Sequence, residues 1–157
     1  ISACLVGSEM CIRDRSTDQI VALTTDQAAI LTTSQVAALK TAQIVSIATD
    51  DLQVMSTAQL AVWGTAQVAA LSTDQVSAMT SLQTSKLTTT QLVALTTAQV
   101  VALTTDQVGN LTTAQLAAMT TKQVAAIETE DQQVLTTAQL VAFTSAQVAA
   151  LLSLIHI

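Results

Sequence analysis

Residues 112–119 read TTAQLAAM, and variants of this octapeptide follow one another without insertion from Ser16 to Leu151, in seventeen copies. The consensus is Thr-Thr-[Ala/Asp]-Gln-[Val/Leu]-Ala-Ala-Leu. Glutamine fills the fourth position in fifteen copies, and Asp51 and Asp131 fill it in the other two. A fixed short period without insertions is typical of repeat architectures.

The pattern predicts a helix that breaks once per repeat. In an unbroken helix each residue advances about 100°, so every octapeptide would rotate its apolar side chains by about 80° and no stripe would persist. Thr-x-x-Gln is a capping box, in which the threonine side chain and the glutamine side chain each accept from the backbone amide of the other residue. In residues 103–108, LTTDQV, Leu103 and Val108 flank the box as a hydrophobic staple.

The predicted fold class is therefore all-α, a solenoid or superhelix of about two-turn helices, one per repeat, joined at a single threonine corner. Isolated helices of this length are marginal in water, so the valine or leucine after glutamine and the last leucine must pack against near-neighbour repeats. The alternative is a β-solenoid, because threonine and valine favour strands. Against it, the chain offers almost no glycine, asparagine or proline for turns. The pattern does not determine handedness or the number of helices per superhelical turn.

The two ends of the chain differ from the array. Both cysteines, both arginines and the only histidine lie there, at Cys4, Cys11, Arg13, Arg15 and His156. The last six residues can be encoded by CTG-TCT-CTT-ATA-CAC-ATC, the reverse complement of codons that encode the end of the first tail. Both termini thus resemble translated sequencing-adapter sequence around a gene fragment, and such segments are excluded from fold reasoning. The predicted organisation is an adapter-derived tail at 1–15, a single array at 16–151 and a second such tail at 152–157.

Charge and hydropathy exclude two classes of partner. The formal net charge of the chain is −6. The array holds three scattered lysines, Lys40, Lys86 and Lys122, and lacks the basic stripe that phosphate binding requires, so we expect no nucleic-acid partner. Threonine and glutamine interrupt every apolar run before it reaches about eighteen residues, so we expect no membrane span in this fragment.

Two departures from the consensus recur in a larger unit of ten repeats. The copies that begin at Ala48 and Glu128 lose the cap threonine, and each is followed by one of the array's two aromatic residues, Trp63 and Phe143, in the leucine register. In both copies the cap is expected to slip to the next threonine. The copy that begins at Thr80 matches the consensus least and indicates drift or a kink.

No catalytic, cofactor-binding or metal-binding residue is predicted. The adjacent acids Asp50-Asp51 and Glu130-Asp131 provide too few oxygens for calcium, and acids suit the first turn of a helix in any case. Trp63 and Phe143 are expected to be larger core residues. General acid-base and nucleophilic catalysis mostly use histidine, cysteine or an activated serine, and the array lacks the first two. We therefore expect no enzyme and no cofactor.

Ice binding is also considered, because threonine pairs recur so regularly. Ice-binding coils present Thr-x-Thr ladders, in which alternate residues of a strand point to one side. Adjacent threonines would point to opposite sides, and here the first of each pair is used as a cap. Ice binding is therefore not expected.

Two family resemblances follow from these residues. The string Leu-Thr-x-x-Gln-Val resembles the start of the first helix of a TAL-effector repeat, which implies a capped helix start and, at a period of eight, no DNA function. The whole array resembles the Thr/Gln/Ala/Leu-rich repeat regions of large bacterial surface or adhesin-like proteins. That resemblance implies an extracellular or cell-surface location. Because the array has no histidine or cysteine, a haem-ligating role is not expected.

Two function classes remain open. The first is a structural spacer of a larger surface or secreted protein, in which length matters more than any one side chain. The second is an interaction module that binds protein or glycan through the solenoid surface, as extended repeat surfaces often do. The monotony of the repeat favours the spacer.

Overall fold

A computed structural model describes residues 16–155, with side chains to residue 152. These residues form seventeen short helices, one per repeat, and hold no strand. The all-α solenoid prediction is thereby confirmed, and the β-solenoid alternative is wrong for this part of the chain. The helices are α1 Thr17–Val21, α2 Thr25–Ala29, α3 Thr33–Ala37, α4 Thr41–Val45, α5 Thr49–Val54, α6 Thr57–Ala61, α7 Thr65–Ala69, α8 Thr73–Ala78, α9 Ser81–Lys86, α10 Thr89–Ala94, α11 Thr97–Val101, α12 Thr105–Gly109, α13 Thr113–Ala118, α14 Thr121–Ala125, α15 Thr129–Gln133, α16 Thr137–Val141 and α17 Ser145–Ile155.

The predicted tail at 1–15 lies outside the described residues. Of the predicted tail at 152–157, residues 152–155 continue α17, and residues 156 and 157 lie outside the description. The adapter origin of both tails and the single array at 16–151 stay predictions.

The helices before α17 are shorter than two turns. Each has five or six residues, which is about one and a half turns at 3.6 residues per turn. After the six-residue helices the corner uses two extended residues where one was predicted. After α10, for example, Leu95 has φ −61° and ψ 137°, and the next cap, Thr96, has φ −71° and ψ 160°.

The capping box is confirmed. In α13 the Thr112 hydroxyl accepts from the Gln115 amide at 3.2 Å, and the Thr112 amide donates to Gln115 Oε1 at 2.7 Å. Most other repeats close the same box. Lys40 and Gly64 keep only the glutamine half, because the lysine side chain does not cap the helix and glycine has no side chain. In both cases the cap amide donates to the glutamine Oε1 at 2.7 Å.

The predicted cap slip in the two divergent copies is wrong. Helix α5 begins at Thr49 with Ala48 as its N-cap, and α15 begins at Thr129 with Glu128 as its N-cap, in the same register as the other repeats. That register keeps Leu52 fully buried in α5. A slip of one residue would rotate this side chain by about 100°, away from the interior.

The missing side-chain cap of α4 provides a stability prediction. Lys40→Thr is expected to raise the free energy of unfolding by about 0.5–1 kcal/mol, because a threonine hydroxyl would add the side-chain cap that lysine does not supply. Urea unfolding followed by circular dichroism measures the change. Lys40→Ala removes the lysine without adding a hydroxyl and is the control; an equal gain in both variants would contradict the capping explanation.

The described residues belong to two compact units, 16–79 and 80–155. Within each unit, helices pack against the helix three repeats further along the chain, not against the helix that follows directly. In the first unit the pairs include α2 with α5 and α3 with α6; in the second they include α10 with α13 and α14 with α17. Near neighbours in space are therefore distant in sequence.

The core of each unit is built from the residue after glutamine and the last residue of each repeat. Examples of the first kind are Val36, Ile44 and Leu116, all fully buried. Trp63 and Phe143 are also buried, in the leucine register. Thr84 takes a core position in α9 and its hydroxyl donates to the Thr80 carbonyl at 3.2 Å. Helix α9 keeps the cap and length of its neighbours, and whether the array kinks at this copy stays a prediction.

Candidate functional site

The glutamine of the capping box makes a second set of contacts that sequence reasoning missed. Gln123 is only 3% exposed. Its Oε1 accepts from the Thr120 amide at 2.9 Å, as the capping box requires. Its Nε2 donates to the carbonyl oxygen of Leu95 at 2.8 Å and to that of Leu92 at 3.1 Å, which lie 28 and 31 residues earlier. One side chain thus joins two distant repeats.

These acceptors are the carbonyl groups at the end of a helix. Leu92 lies in the last turn of α10, and Leu95 is its C-cap. The last carbonyl groups of a helix have no partner within the helix, and neither do the first amides. Gln123 satisfies an amide at the start of its own helix through Oε1 and carbonyl groups at the end of an earlier helix through Nε2. One side chain therefore satisfies backbone groups at the ends of two helices.

The same arrangement recurs within each unit, and we call it the glutamine ladder. Its described members in residues 16–79 are Gln59, Gln67 and Gln75, and in residues 80–155 they are Gln115, Gln123, Gln139 and Gln147. In all seven, Nε2 donates to the carbonyl oxygen 28 residues earlier. Because 28 residues are three and a half octapeptides, the chain stacks on itself at that interval within each unit.

Glutamine is the residue that this dual role requires. Its side-chain amide carries an acceptor and two donors, whereas an ionised glutamate carries acceptors only. Glutamate is equally suitable for the local capping box, yet no copy of the repeat has glutamate in this position. That exclusive choice is the sequence signal that could have revealed the ladder.

Asp51 and Asp131 interrupt the ladder. Both residues are buried, with exposures of 4% and 5%. Burial raises the pKa of the Asp51 carboxyl above its ordinary value, and the neighbouring Asp50 raises this pKa further. An ionised aspartate has no donor for carbonyl groups of an earlier repeat. These two positions are therefore the weak points of the hydrogen-bonding pattern.

The acidic pairs do not form a shared chelating surface in the structure. In each pair one side chain is buried, Asp51 or Asp131, and the other, Asp50 or Glu130, is exposed. Among the residues that the structure describes, no group of three or more histidine, cysteine, aspartate or glutamate side chains is close enough to hold a metal ion. All four acids lie in the first turn of a helix, where they face the positive end of its dipole.

The outer surface presents the threonines and the short polar residues of the first turn. Lys86 and Asn110, which replace the alanine before the last leucine, are exposed. A depression of about 490 Å³ lies beside α14 and α15 and is lined partly by Val101, Ala126 and Glu130. No helix within the described residues has the length and apolar character needed to cross a membrane.

Comparison with known proteins identifies the repeat. The family model of the ALTTAQ repeat matches four segments that together make up most of the chain, residues 13–41, 44–81, 85–113 and 124–153. No curated protein and no solved structure matches the chain.

Proposed function

The chain belongs to the ALTTAQ repeat family, and from this and the glutamine ladder we propose that it serves as a structural spacer, without catalytic activity, in a larger protein. The observation that supports the proposal is the ladder. Each of its seven described glutamines makes the same long-range contact at the same interval. Such a fold can gain or lose octapeptides without a new kind of contact, as a spacer of adjustable length requires.

The use of the side chains supports the absence of catalysis. The most frequent polar side chain in the interior is glutamine, and the ladder commits it to backbone groups on both sides. The threonines and serines at the caps accept from backbone amides. Most of the carboxylates that could act as bases lie in first turns of helices, where they face the positive end of the helix dipole.

We propose further that the larger protein is a bacterial surface or secreted protein of the adhesin-like kind. This rests on the resemblance of the Thr/Gln/Ala/Leu-rich array to repeat regions of such proteins. Recovery of the complete gene tests it, since a secretion signal and surface labelling of the product are expected. The same nucleotide sequence tests the adapter origin of residues 1–15 and 152–157, because native codons unlike the adapter would contradict it.

The spacer proposal makes a prediction about insertions. Insertion of one further octapeptide, a copy of residues 112–119 placed after residue 119, should leave a cooperative thermal transition and increase the radius of gyration measured by small-angle X-ray scattering. Every glutamine after the insertion still meets a carbonyl group at the same interval.

The matched control inserts half an octapeptide, TTAQ, at the same place. It displaces all later repeats by half a period, so the ladder glutamines of α14, α16 and α17 lose their acceptors and core leucines move to exposed positions. We expect a clear loss of thermal stability in this variant alone. Equal stability of the two insertions, or an unchanged radius of gyration with the full octapeptide, would contradict the spacer proposal.

The interaction module is the second candidate, and one observation favours it. The depression beside α14 and α15 combines apolar side chains with the carboxylates of Glu128 and Glu130. A glycan array probed with the labelled chain tests this candidate. Binding that is lost in the double variant Glu128→Gln/Glu130→Gln would support it over the spacer.

A further inference from the structure

The glutamine ladder cannot by itself determine which repeat stacks on which. Glutamine recurs every eight residues, so a turn displaced by one octapeptide would offer each Nε2 group equivalent carbonyl groups. The residue after glutamine is apolar in nearly every copy, and the last residue of the repeat is apolar in all of them. The sixth and seventh residues, in contrast, vary in size from copy to copy. These two positions are therefore the ones that can distinguish one register from another.

The sixth residue of one repeat faces the seventh residue of the repeat three copies later. Helices α12 and α15 pack together. A Cβ atom on Gly109 of α12 would lie 3.5 Å from Cγ2 of Val134, the C-cap of α15. Helices α11 and α14 also pack together, and Val101 of α11 borders the same depression as Ala126. The residues of both pairs are 25 positions apart, and we call two residues in this relation a facing pair.

The facing pairs within the two units are matched in size. Seven of them contain a valine, and in each of these the other residue is glycine, alanine or serine. They are Val21 with Ser46, Ala29 with Val54, Ala37 with Val62, Val45 with Ala70, Val93 with Ala118, Val101 with Ala126 and Gly109 with Val134. Within the described part of either unit, no facing pair combines two valines. The native register therefore never places two branched side chains in one contact of this kind.

A displacement by one octapeptide would remove this matching. The separation between the sixth and seventh residues would become 33 or 17 positions, and valines would then meet valines. The encounters would be Val21 with Val54 and Val101 with Val134 at a separation of 33, and Val45 with Val62 at a separation of 17. Additional methyl groups in a packed contact force side chains or backbone to move, which destabilises the fold. Only the native separation avoids this cost in both units.

We propose that the facing pairs determine the register in which successive turns of the array stack, and that the octapeptides are for this reason not interchangeable. The ladder and the core hold any two turns together, whereas the valines favour one alignment between them. This inference goes beyond the spacer role, because it states which repeats can be lost only together with a second change.

Substitution of Gly109 tests the size limit of one facing pair. Gly109→Val should lower the midpoint of thermal unfolding by about 3 °C or more, because its methyl groups meet Val134. Valine favours a helix more than glycine does, so helix propensity acts in the opposite direction. Gly109→Val/Val134→Ala again leaves one valine in the pair and should recover the loss. The control is Ala117→Val at the same position of α13, which faces Ala142 and should lose about half as much or less.

Deletion of one octapeptide tests the register itself. Removal of residues 112–119 leaves every later ladder glutamine with an acceptor at the same interval, but the separation of 25 now joins Val101 to Val134. Val101→Ala should raise the thermal midpoint of this shortened chain by about 3 °C or more. In the full chain Val101 faces Ala126, and the same substitution should not raise the midpoint. The octapeptide inserted after residue 119 places alanine opposite Val101, so that insertion and this deletion are independent tests.

Three results would overturn the proposal. The first is a loss as large in Ala117→Val as in Gly109→Val, and the second is a double variant that does not recover. The third is a Val101→Ala substitution that fails to stabilise the shortened chain, or that changes both chains equally. Circular dichroism at low temperature establishes the helical content of each variant before it is heated.

Discussion

Gln123→Glu is expected to lower the free energy of unfolding by about 3 kcal/mol at neutral pH. The substitution changes the side-chain shape very little, and one carboxylate oxygen still accepts from the Thr120 amide. The other oxygen replaces Nε2 and faces the carbonyl oxygens of Leu92 and Leu95, which lie 3.1 and 2.8 Å from Nε2 in the wild type. The helix end loses its donor, and a buried charge meets two dipoles of the wrong sign. Urea unfolding measures the difference.

The matched control is Gln19→Glu. Gln19 has the same place in its repeat and caps Ser16 in the same way, but it is exposed and makes no described ladder contact. Glutamate is a usual residue of the capping box and suits the start of a helix, so this variant should unfold like the wild type. Equal losses in both variants would show that glutamine acts only in the local cap, and the ladder would have no energetic importance.

The Gln123→Glu variant also has a predictable pH dependence. Burial beside carbonyl oxygens raises the pKa of the introduced carboxyl in the folded state above its unfolded value. The penalty is therefore absent below the unfolded pKa, where the carboxyl is protonated in both states and can donate. It grows as the pH rises through the folded pKa. Acidification should bring Gln123→Glu closer to the wild type, and a constant difference across the pH range would contradict this assignment.

The local part of the fold could be predicted from the sequence because its signals act within one repeat. Thr-x-x-Gln determines where each helix begins, and the fixed spacing of the apolar positions indicates that Leu116 and Met119 belong to the core. The packing of helices three repeats apart could not be predicted. It depends on the angle at each corner, and the extended backbone of two residues at the corner, such as Leu95 and Thr96, is not determined by the capping box alone.

The glutamine ladder could not be predicted from the sequence for a related reason. The acceptors of Gln123 lie 28 and 31 residues earlier, and no local pattern relates a side chain to backbone groups at that distance. The cap slip was predicted from the isolated repeat, in which Thr49 is a better cap than Ala48. In the structure the burial of Leu52 outweighs one cap, since a cap contributes about 1 kcal/mol and a buried leucine about 1.5–3 kcal/mol.

Repair of the ladder at Asp51 should stabilise the chain. Asp51→Gln is expected to raise the free energy of unfolding by about 1–2 kcal/mol at neutral pH, because it removes a buried carboxylate and adds an Nε2 donor. By register, its acceptors are the carbonyl groups of Leu23 and Ile20, which lie 28 and 31 residues earlier. Urea unfolding at neutral and at mildly acidic pH measures both the gain and its pH dependence.

The sign of that pH dependence follows from the pKa of Asp51. Burial and the neighbouring Asp50 raise this pKa above the ordinary value of 3.8. The folded state thus favours the protonated carboxyl, and the stability linked to it is present below 3.8 and is lost as the pH rises through the higher folded pKa. The wild type should lose this contribution as the pH rises above 3.8 toward neutral, whereas Asp51→Gln should not, so the gain from the substitution is largest at neutral pH.

Asp51→Asn distinguishes the effect of the buried charge from the effect of side-chain length. Asparagine is neutral and has a donor, but its side chain is one carbon shorter than that of glutamine and should not span the distance to the earlier turn. It is expected to remove the pH dependence and to recover only the part of the gain that comes from discharging a buried carboxylate. If Asp51→Asn is as stable as Asp51→Gln at neutral pH, the charge alone explains the weakness of this repeat. If Asp51→Gln is clearly more stable, the hydrogen bonds to the earlier helix end account for the difference. Those hydrogen bonds are then the physical reason why glutamine recurs every eight residues.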